Sequence, residues 1–204
     1  DCVIEAQDIV DEQPLKDTVL WGTLINGYTE LGLYEEALKC WDQIVFEDKG
    51  PDAVVSICIL KVCSALGDLQ RGWDVHRVIV EKMLEKELMI GNALVYMYAK
   101  CGSLEDSQDV FDNLPFRDVV SWTSLIAGYA DCGLTEEVFD CFNIMMLKEN
   151  IAPNASTFAN VLKACRASGA INRGLEMHTM VIIAGFERDP FVGSMLVDMY
   201  AIHG

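Results

Sequence analysis

Several chemistries are excluded by what is missing. The chain has no C-x-x-C pair, and its three histidines stand in HRV, HTM and HG rather than in an H-x-E triplet. A zinc deaminase centre needs both motifs, so these residues encode none. No glycine-rich phosphate loop is present, and no apolar run approaches the ~20 residues of a membrane span. Nucleophilic catalysis needs a Ser or Cys, a base and an acid converging in space. His76 and His178 instead recur at an equivalent core-type position, so the chain reads as a non-enzyme with no cofactor and no metal. Cations are scarce: 15 Lys and Arg against 32 Asp and Glu, a net charge of −17. Taken alone, that balance argues against a nucleic-acid partner, DNA in particular. Eight cysteines are present, but Cys63 and Cys165, like Cys40 and Cys141, are spaced one repeat copy apart. They read as reduced thiols serving as small apolar residues.

What is abundant is apolar residues, 51% of the chain, in a repeating order. In the stretch from Leu88 to Asp118, Ile90, Ala93, Leu94, Met97, Tyr98 and Cys101 form one apolar stripe at helical spacing. Gly102 ends that helix, Ser103 and Asp106 form an expected capping box for the next, and Leu104, Ser107, Phe111 and Leu114 give the second helix its packing face. Pro115 closes the unit. A hairpin of this size cannot bury its own apolar face, so it needs stacked copies of itself.

The copies are present. The register gives a partial unit 1–17, then Thr18–Asp52, Ala53–Glu87, Leu88–Asp118, Val119–Asn154 and Ala155–Asp189, and a partial unit 190–204. Their lengths run 35, 35, 31, 36 and 35 residues before the last, cut-short unit. The fifteenth residue is glycine each time: Gly32, Gly67, Gly102, Gly133, Gly169 and Gly204. Three flavours alternate, and brief linkers hold Pro51, Pro115 and Pro153. The expectation is an all-α protein: an α-solenoid of stacked helix-turn-helix repeats, one domain over 1–204, wound as a right-handed superhelix. The aromatics and histidines at position twenty-four (Trp41, His76, Phe111, Phe142, His178) are expected in the core. Asp1 falls inside a unit, so the sequence reads as a piece of a longer chain, with any targeting peptide or catalytic domain outside it.

The motifs TLINGY and SLIAGYA, ILKVC and VLKAC, and GNALVYMYAKCGSLEDSQDVF resemble the pentatricopeptide-repeat family. The length pattern is similar to the sub-class alternating P, L and S motifs: partial S (1–17), P (18–52), L (53–87), S (88–118), P (119–154), L (155–189) and partial S (190–204). The resemblance implies a reader of single-stranded RNA, one base per unit, in a mitochondrion or chloroplast. It further implies the recognition part of a plant cytidine-to-uridine editing factor, with accessory editing proteins as possible partners and no membrane association.

By the same resemblance, the fifth and last residues of a unit face a base edge and the second packs on base faces. The fifth/last pairs are Gly22/Asp52, Ile57/Glu87, Asn92/Asp118, Thr123/Asn154 and Ala159/Asp189, and Ser194 is a fifth residue whose partner lies beyond the chain. Asn92/Asp118 resembles a uridine-preferring pair and Thr123/Asn154 an adenosine-preferring pair, implying a 5′-UA-3′ step. Gly22 has no side chain to read with. The second residues are Val19, Val54, Met89, Val120, Ser156 and Phe191. Lys100, at position thirteen, is the expected phosphate contact. The acidic balance also suits an alternative reading, an α-solenoid scaffold for a basic or accessory protein partner.

Overall fold

The computed structural model describes residues 18–47 and 50–203. The partial unit 1–17, Asp17 and the turn expected at Gly204 lie outside them. Every element among the described residues is helical, as the periodicity predicts. The chain divides into two compact units, Asp1–Cys101 and Gly102–Gly204.

The first unit holds α1 (Thr18–Glu30), α2 (Tyr34–Phe46), α3 (Ala53–Leu66), α4 (Leu69–Glu81) and α5 (Leu88–Lys100). Within it α1 packs on α3 and α3 on α5, while α2 and α4 back the hairpins. This explains why α3 reads AVVSICILKVCSAL. It has neighbours on several sides and buries Val55, Ser56, Cys58, Ile59, Leu60, Val62 and Cys63. Helix α4 has one buried stripe, Gly72, Val75 and Ile79, at i, i+3 and i+7. Gly72 sits so close to α5 that a Cβ there would overlap Met97 Sδ and lie 2.8 Å from its Cε.

The second unit holds α6 (Leu104–Asp112), α7 (Val119–Asp131), α8 (Thr135–Asn143), α9 (Ala155–Ser168), α10 (Ile171–Ile183) and α11 (Pro190–His203). Here α7 packs on α9 and α9 on α11. The glycine and methionine recur, with Gly174 against Met199. The glycines of the hairpin turns adopt the left-handed backbone the register requires, with φ of 65° at Gly67 and 73° at Gly133. A side chain at either would be strained.

Helix α8 runs on into a π-helical turn, Ile144–Lys148, marked by the Glu149 amide donating to the Ile144 carbonyl five residues back. The two stretches hold nine and five residues, one more than the 13 of α2. Thus the extra residue of the 36-residue unit is taken up inside its second helix, as a π-bulge takes up an insertion, and the linker to α9 is not lengthened.

Two local expectations need correction. The Ser103 hydroxyl does not cap α6 by accepting from its backbone; it donates to Asp106 Oδ2 at 2.6 Å. His76 and His178 are half-buried rather than enclosed. Their Nδ1 atoms lie 2.7 Å from the Tyr98 hydroxyl and 2.8 Å from that of Tyr200. Where imidazole stands at this position, the next first helix offers it a phenol; the phenol of Tyr129, which follows Phe111, donates to Gln108 instead. No cluster able to hold a metal occurs among the described residues.

The described cysteines are all unbridged. Burial pushes the Cys63 and Cys141 thiols up to about 12 and Cys165 to about 11. At pH 8 a thiol reagent is therefore expected to modify the exposed Cys132 on the folded chain, and these three only after denaturant. Rapid native labelling of Cys63 would refute the packing. Because the unfolded thiols ionise near 9 while the folded ones stay protonated, stability should fall as pH rises above about 9.

Candidate nucleic-acid interface

Among the described residues, the last residue of a unit turns out to be the N-cap of the next first helix. Asp52 Oδ1 accepts from the Val55 amide at 2.9 Å. Asp118 Oδ1 accepts from the amides of Val120 and Ser121, both at 2.9 Å. Asp189 Oδ1 accepts from Phe191 at 2.9 Å and Val192 at 3.0 Å. Asn154 Oδ1 accepts from Thr157 at 2.9 Å. Glu87 occupies the same place without a side-chain bond. A helix N-terminus presents unpaired N–H groups and a partial positive charge, so it stabilises these carboxylates. The acidity at the unit ends thus has a local partner in the backbone.

Two residues beyond each N-cap, the second residues stand out from the surface. In the first unit Val19, Val54 and Met89 are exposed, Met89 by 71%. In the second unit Val120 and Phe191 are exposed apolar side chains, and Ser156 is exposed between them in sequence. Val55, Ile90, Ser121, Thr157 and Val192, one residue on, are fully buried, so the second residues lie on the other face of the same turn.

The fifth residues divide. Gly22 is buried, and a Cβ there would be 3.5 Å from Val55 Cγ2. Asn92 is only 7% exposed and Ala159 is buried. Ile57 is half-buried and Ser194 exposed. Thr123 is half-buried and joins a polar chain. Its Oγ1 lies 2.7 Å from Thr157 Oγ1, and Thr157 Oγ1 lies 3.0 Å from Asn154 Oδ1. Either hydroxyl can be the donor in the Thr123–Thr157 bond, and in both cases the Thr123 oxygen keeps a lone pair able to accept. The Asn154 Nδ2 group makes no hydrogen bond among the described residues and keeps two donors. Thr123 and Asn154 are thus linked through Thr157 rather than directly.

Sequence reasoning missed Thr157 and its counterpart Ser121, which closes a capping box with Asp118. The signal was legible, since D-x-x-S and N-x-x-T carry cap and N3 residue at capping-box spacing. It also missed Arg117, which fastens the loop before Asp118. Its Nε donates to the Phe111 carbonyl at 3.2 Å and its Nη2 to that of Asp112 at 3.1 Å. Its Nη1 faces Glu149 at 3.4 Å. Lys100 is exposed, its ammonium 5.6 Å from the Tyr96 ring centroid. At the corresponding position of the second unit, Asp131 holds an ion pair with Lys163.

Helical hairpins repeated in tandem, most of them opening on a capped helix with an exposed apolar second residue, define a helical-repeat protein. Residues 117–166 match the PPR repeat family, and residues 19–47 and 92–119 match the PPR repeat. Two Arabidopsis thaliana proteins illustrate the kinship. Pentatricopeptide repeat-containing protein At4g38010 is 35% identical over 193 residues, covering 95% of this chain and 34% of that protein. The chloroplastic At1g15510 is 32% identical over 200 residues, covering 96% and 22%. The chain belongs to the pentatricopeptide-repeat family, and it spans about a third or less of the length of these relatives. Among solved structures, maize PPR10 superposes with a TM-score of 0.69 at 19% identity, over 92% of this chain and 27% of that one. That likeness is one of fold.

Proposed function

We propose that the chain is a recognition module for single-stranded RNA, in which first-helix residues face successive bases. The observation that carries it is the Thr123–Thr157–Asn154 chain. It places a hydroxyl oxygen that can accept and an amide group that can donate beside an exposed apolar side chain, Val120. Adenine offers the complement, a donor at its amino group and an acceptor at N1. Thr123 Oγ1 accepts the first and Asn154 Nδ2 donates to the second. Cytosine has the same polarity with a shorter reach, whereas uracil and guanine present the reverse. An unstacked base exposes this edge, and an apolar neighbour packs on any base face. The maize relative's structure in complex with an 18-nt psaJ RNA element supports the ligand class. The 35/35/31/36 length pattern supports the P-L-S sub-class and, through it, a role in specifying cytidine-to-uridine editing sites. The chloroplastic and mitochondrial names of several relatives support an organellar location.

The test exchanges the pair. Thr123→Asn with Asn154→Asp reproduces the Asn92/Asp118 combination and keeps a competent N-cap, since Asp and Asn cap equally well. On RNAs differing only at the base facing this unit, preference is expected to move from adenosine to uridine by roughly 1–3 kcal/mol, the scale of a base contact in DNA readers. An unchanged preference at unchanged melting temperature would sink the base-reading assignment. If the parent chain binds no RNA at low salt, the scaffold reading takes its place.

A further inference from the structure

In each of the two compact units, a fifth residue meets the third residue of the following repeat. Thr123 Oγ1 on α7 lies 2.7 Å from Thr157 Oγ1 on α9. A Cβ at Gly22 on α1 would stand 3.5 Å from Val55 Cγ2 on α3. Val55 and Thr157 are equivalent positions, 102 residues apart. Along the chain the third residues Val55, Ile90, Ser121, Thr157 and Val192 are all fully buried.

Their chemistry follows that of the fifth residue before them. After Gly22, Ile57 and Ala159 come Val55, Ile90 and Val192, all aliphatic. After Asn92 and Thr123 come Ser121 and Thr157, both hydroxyls. Packing alone does not select between valine and threonine, which differ little in shape. Capping does not select between them either. Asp52 and Asp189 cap their helices by accepting from the amides of Val55 and Val192, which carry no hydroxyl. A buried hydroxyl costs free energy unless it is bonded. What the Thr157 hydroxyl adds beyond the cap is its bond to Thr123.

We propose that Thr157 is a positioning residue for base choice by the repeat Val119–Asn154, which makes the reading set a triad whose third member belongs to the next repeat. The inference rests on the RNA reading above and adds a determinant that touches no base. Thr157 Oγ1 holds Thr123 Oγ1 at 2.7 Å and Asn154 Oδ1 at 3.0 Å, so it fixes the two side chains relative to each other. Elsewhere in the chain, helix hydroxyls turn to their own helix. Those of Thr23, Ser64 and Thr179 donate to the carbonyl four residues back. Without the Thr157 hydroxyl, Thr123 is left to do the same, and its oxygen loses its fixed place beside Asn154.

The experiment selects bound sequences from a random ten-nucleotide RNA pool with the whole chain. Affinity is then measured for the selected RNA and for copies changed at the adenosine whose preference the Thr123→Asn, Asn154→Asp exchange moves. Urea melts confirm that each variant is folded. Thr157→Val removes the hydroxyl but keeps the shape and the backbone amide that donates to Asn154. It is expected to reduce discrimination of adenosine from uridine at that base by about ten-fold, the scale of one base contact, and to leave the preference at the preceding base unchanged. Thr157→Ser should restore the parent's ratio. A merely structural role would weaken binding to all these RNAs alike and leave the ratio as it was. The converse variants build the triad in the repeat Thr18–Asp52. Gly22→Thr, Asp52→Asn and Val55→Thr together should create an adenosine preference there, larger than the first two changes create without the third. A parent-like ratio in folded Thr157→Val, or a triple variant no more selective than the double, overturns the proposal and leaves the Thr123/Asn154 reading intact. A parent chain with no preference at that base overturns both.

Discussion

Gly72→Ala is expected to destabilise the protein by about 1–2 kcal/mol, although a glycine-to-alanine change inside a helix ordinarily stabilises by about 1 kcal/mol. The cause is the close approach of α4 to α5. The new Cβ would overlap Met97 Sδ and meet its Cε at 2.8 Å, and Met97 is fully buried, so the thioether must find another rotamer inside the packed core. Overpacking of this kind costs about 1–3 kcal/mol, which outweighs the propensity gain. Gly72→Val should cost about 3 kcal/mol, at the upper end of that range. Met97→Ala alone should cost about 2–5 kcal/mol through the cavity it leaves. Combined with Gly72→Ala it should cost less, because the new methyl occupies part of the cavity and the two changes are coupled. Urea melts of the four proteins decide the matter. A Gly72→Ala variant more stable than the parent would show that the approach is looser than the structure has it. Gly174 and Met199 should behave with the same sign.

Trp122→Ala is expected to cost about 3–5 kcal/mol, as for other large buried aromatics. The ring is buried on α7 and packs against Phe111 in a T-shaped pair, centroids 4.7 Å apart and planes at 70°. Its indole N–H donates to Glu149 Oε2 at 2.8 Å, and the same carboxylate faces Arg117, whose guanidinium lies 4.9 Å from the Phe111 centroid. Trp122→Phe separates packing from polarity. It keeps most of the apolar volume but removes the donor to a charged acceptor, a bond worth about 1.5–3 kcal/mol. The Arg117–Glu149 pair itself is partly exposed and worth about 1 kcal/mol or less. Thermal melts showing Trp122→Phe within about 0.5 kcal/mol of the parent would mean that the indole bond contributes nothing beyond shape.

The fold was legible in the sequence because its determinants are local. The stripe Ile90, Leu94, Met97, Tyr98 is buried as its spacing requires, and the turn glycines carry positive φ because the backbone demands it. The failures share another cause, a choice between partners that spacing cannot decide. Ser103 with Asp106 and Asp118 with Ser121 both fit a capping box, but in the first the N-cap side chain accepts from no backbone amide. A half-buried histidine could not be told from an enclosed one, since its partner is a tyrosine 22 residues away. The extra residue between Val119 and Asn154 was visible as a length, but nothing in IMMLK distinguished a π-helical turn from a longer linker. At the candidate site, the sequence offered the fifth and last residues but not what joins them: the Thr123 hydroxyl bonds Thr157, which belongs to the following unit.

Asn154 and Asp118 each hold two posts at once, since the side chain proposed to face a base also starts the next helix. That restricts the alphabet available at the end of a unit. Aspartate, asparagine, serine and threonine start a helix well, whereas alanine, valine or leucine forfeits about 1 kcal/mol at every unit that uses it. Specificity at this position can therefore drift cheaply only among a few short polar residues. A designer wishing to respell the chain's target would find Asn154→Asp nearly silent in a melting curve and Asn154→Leu visible in it before any RNA is added.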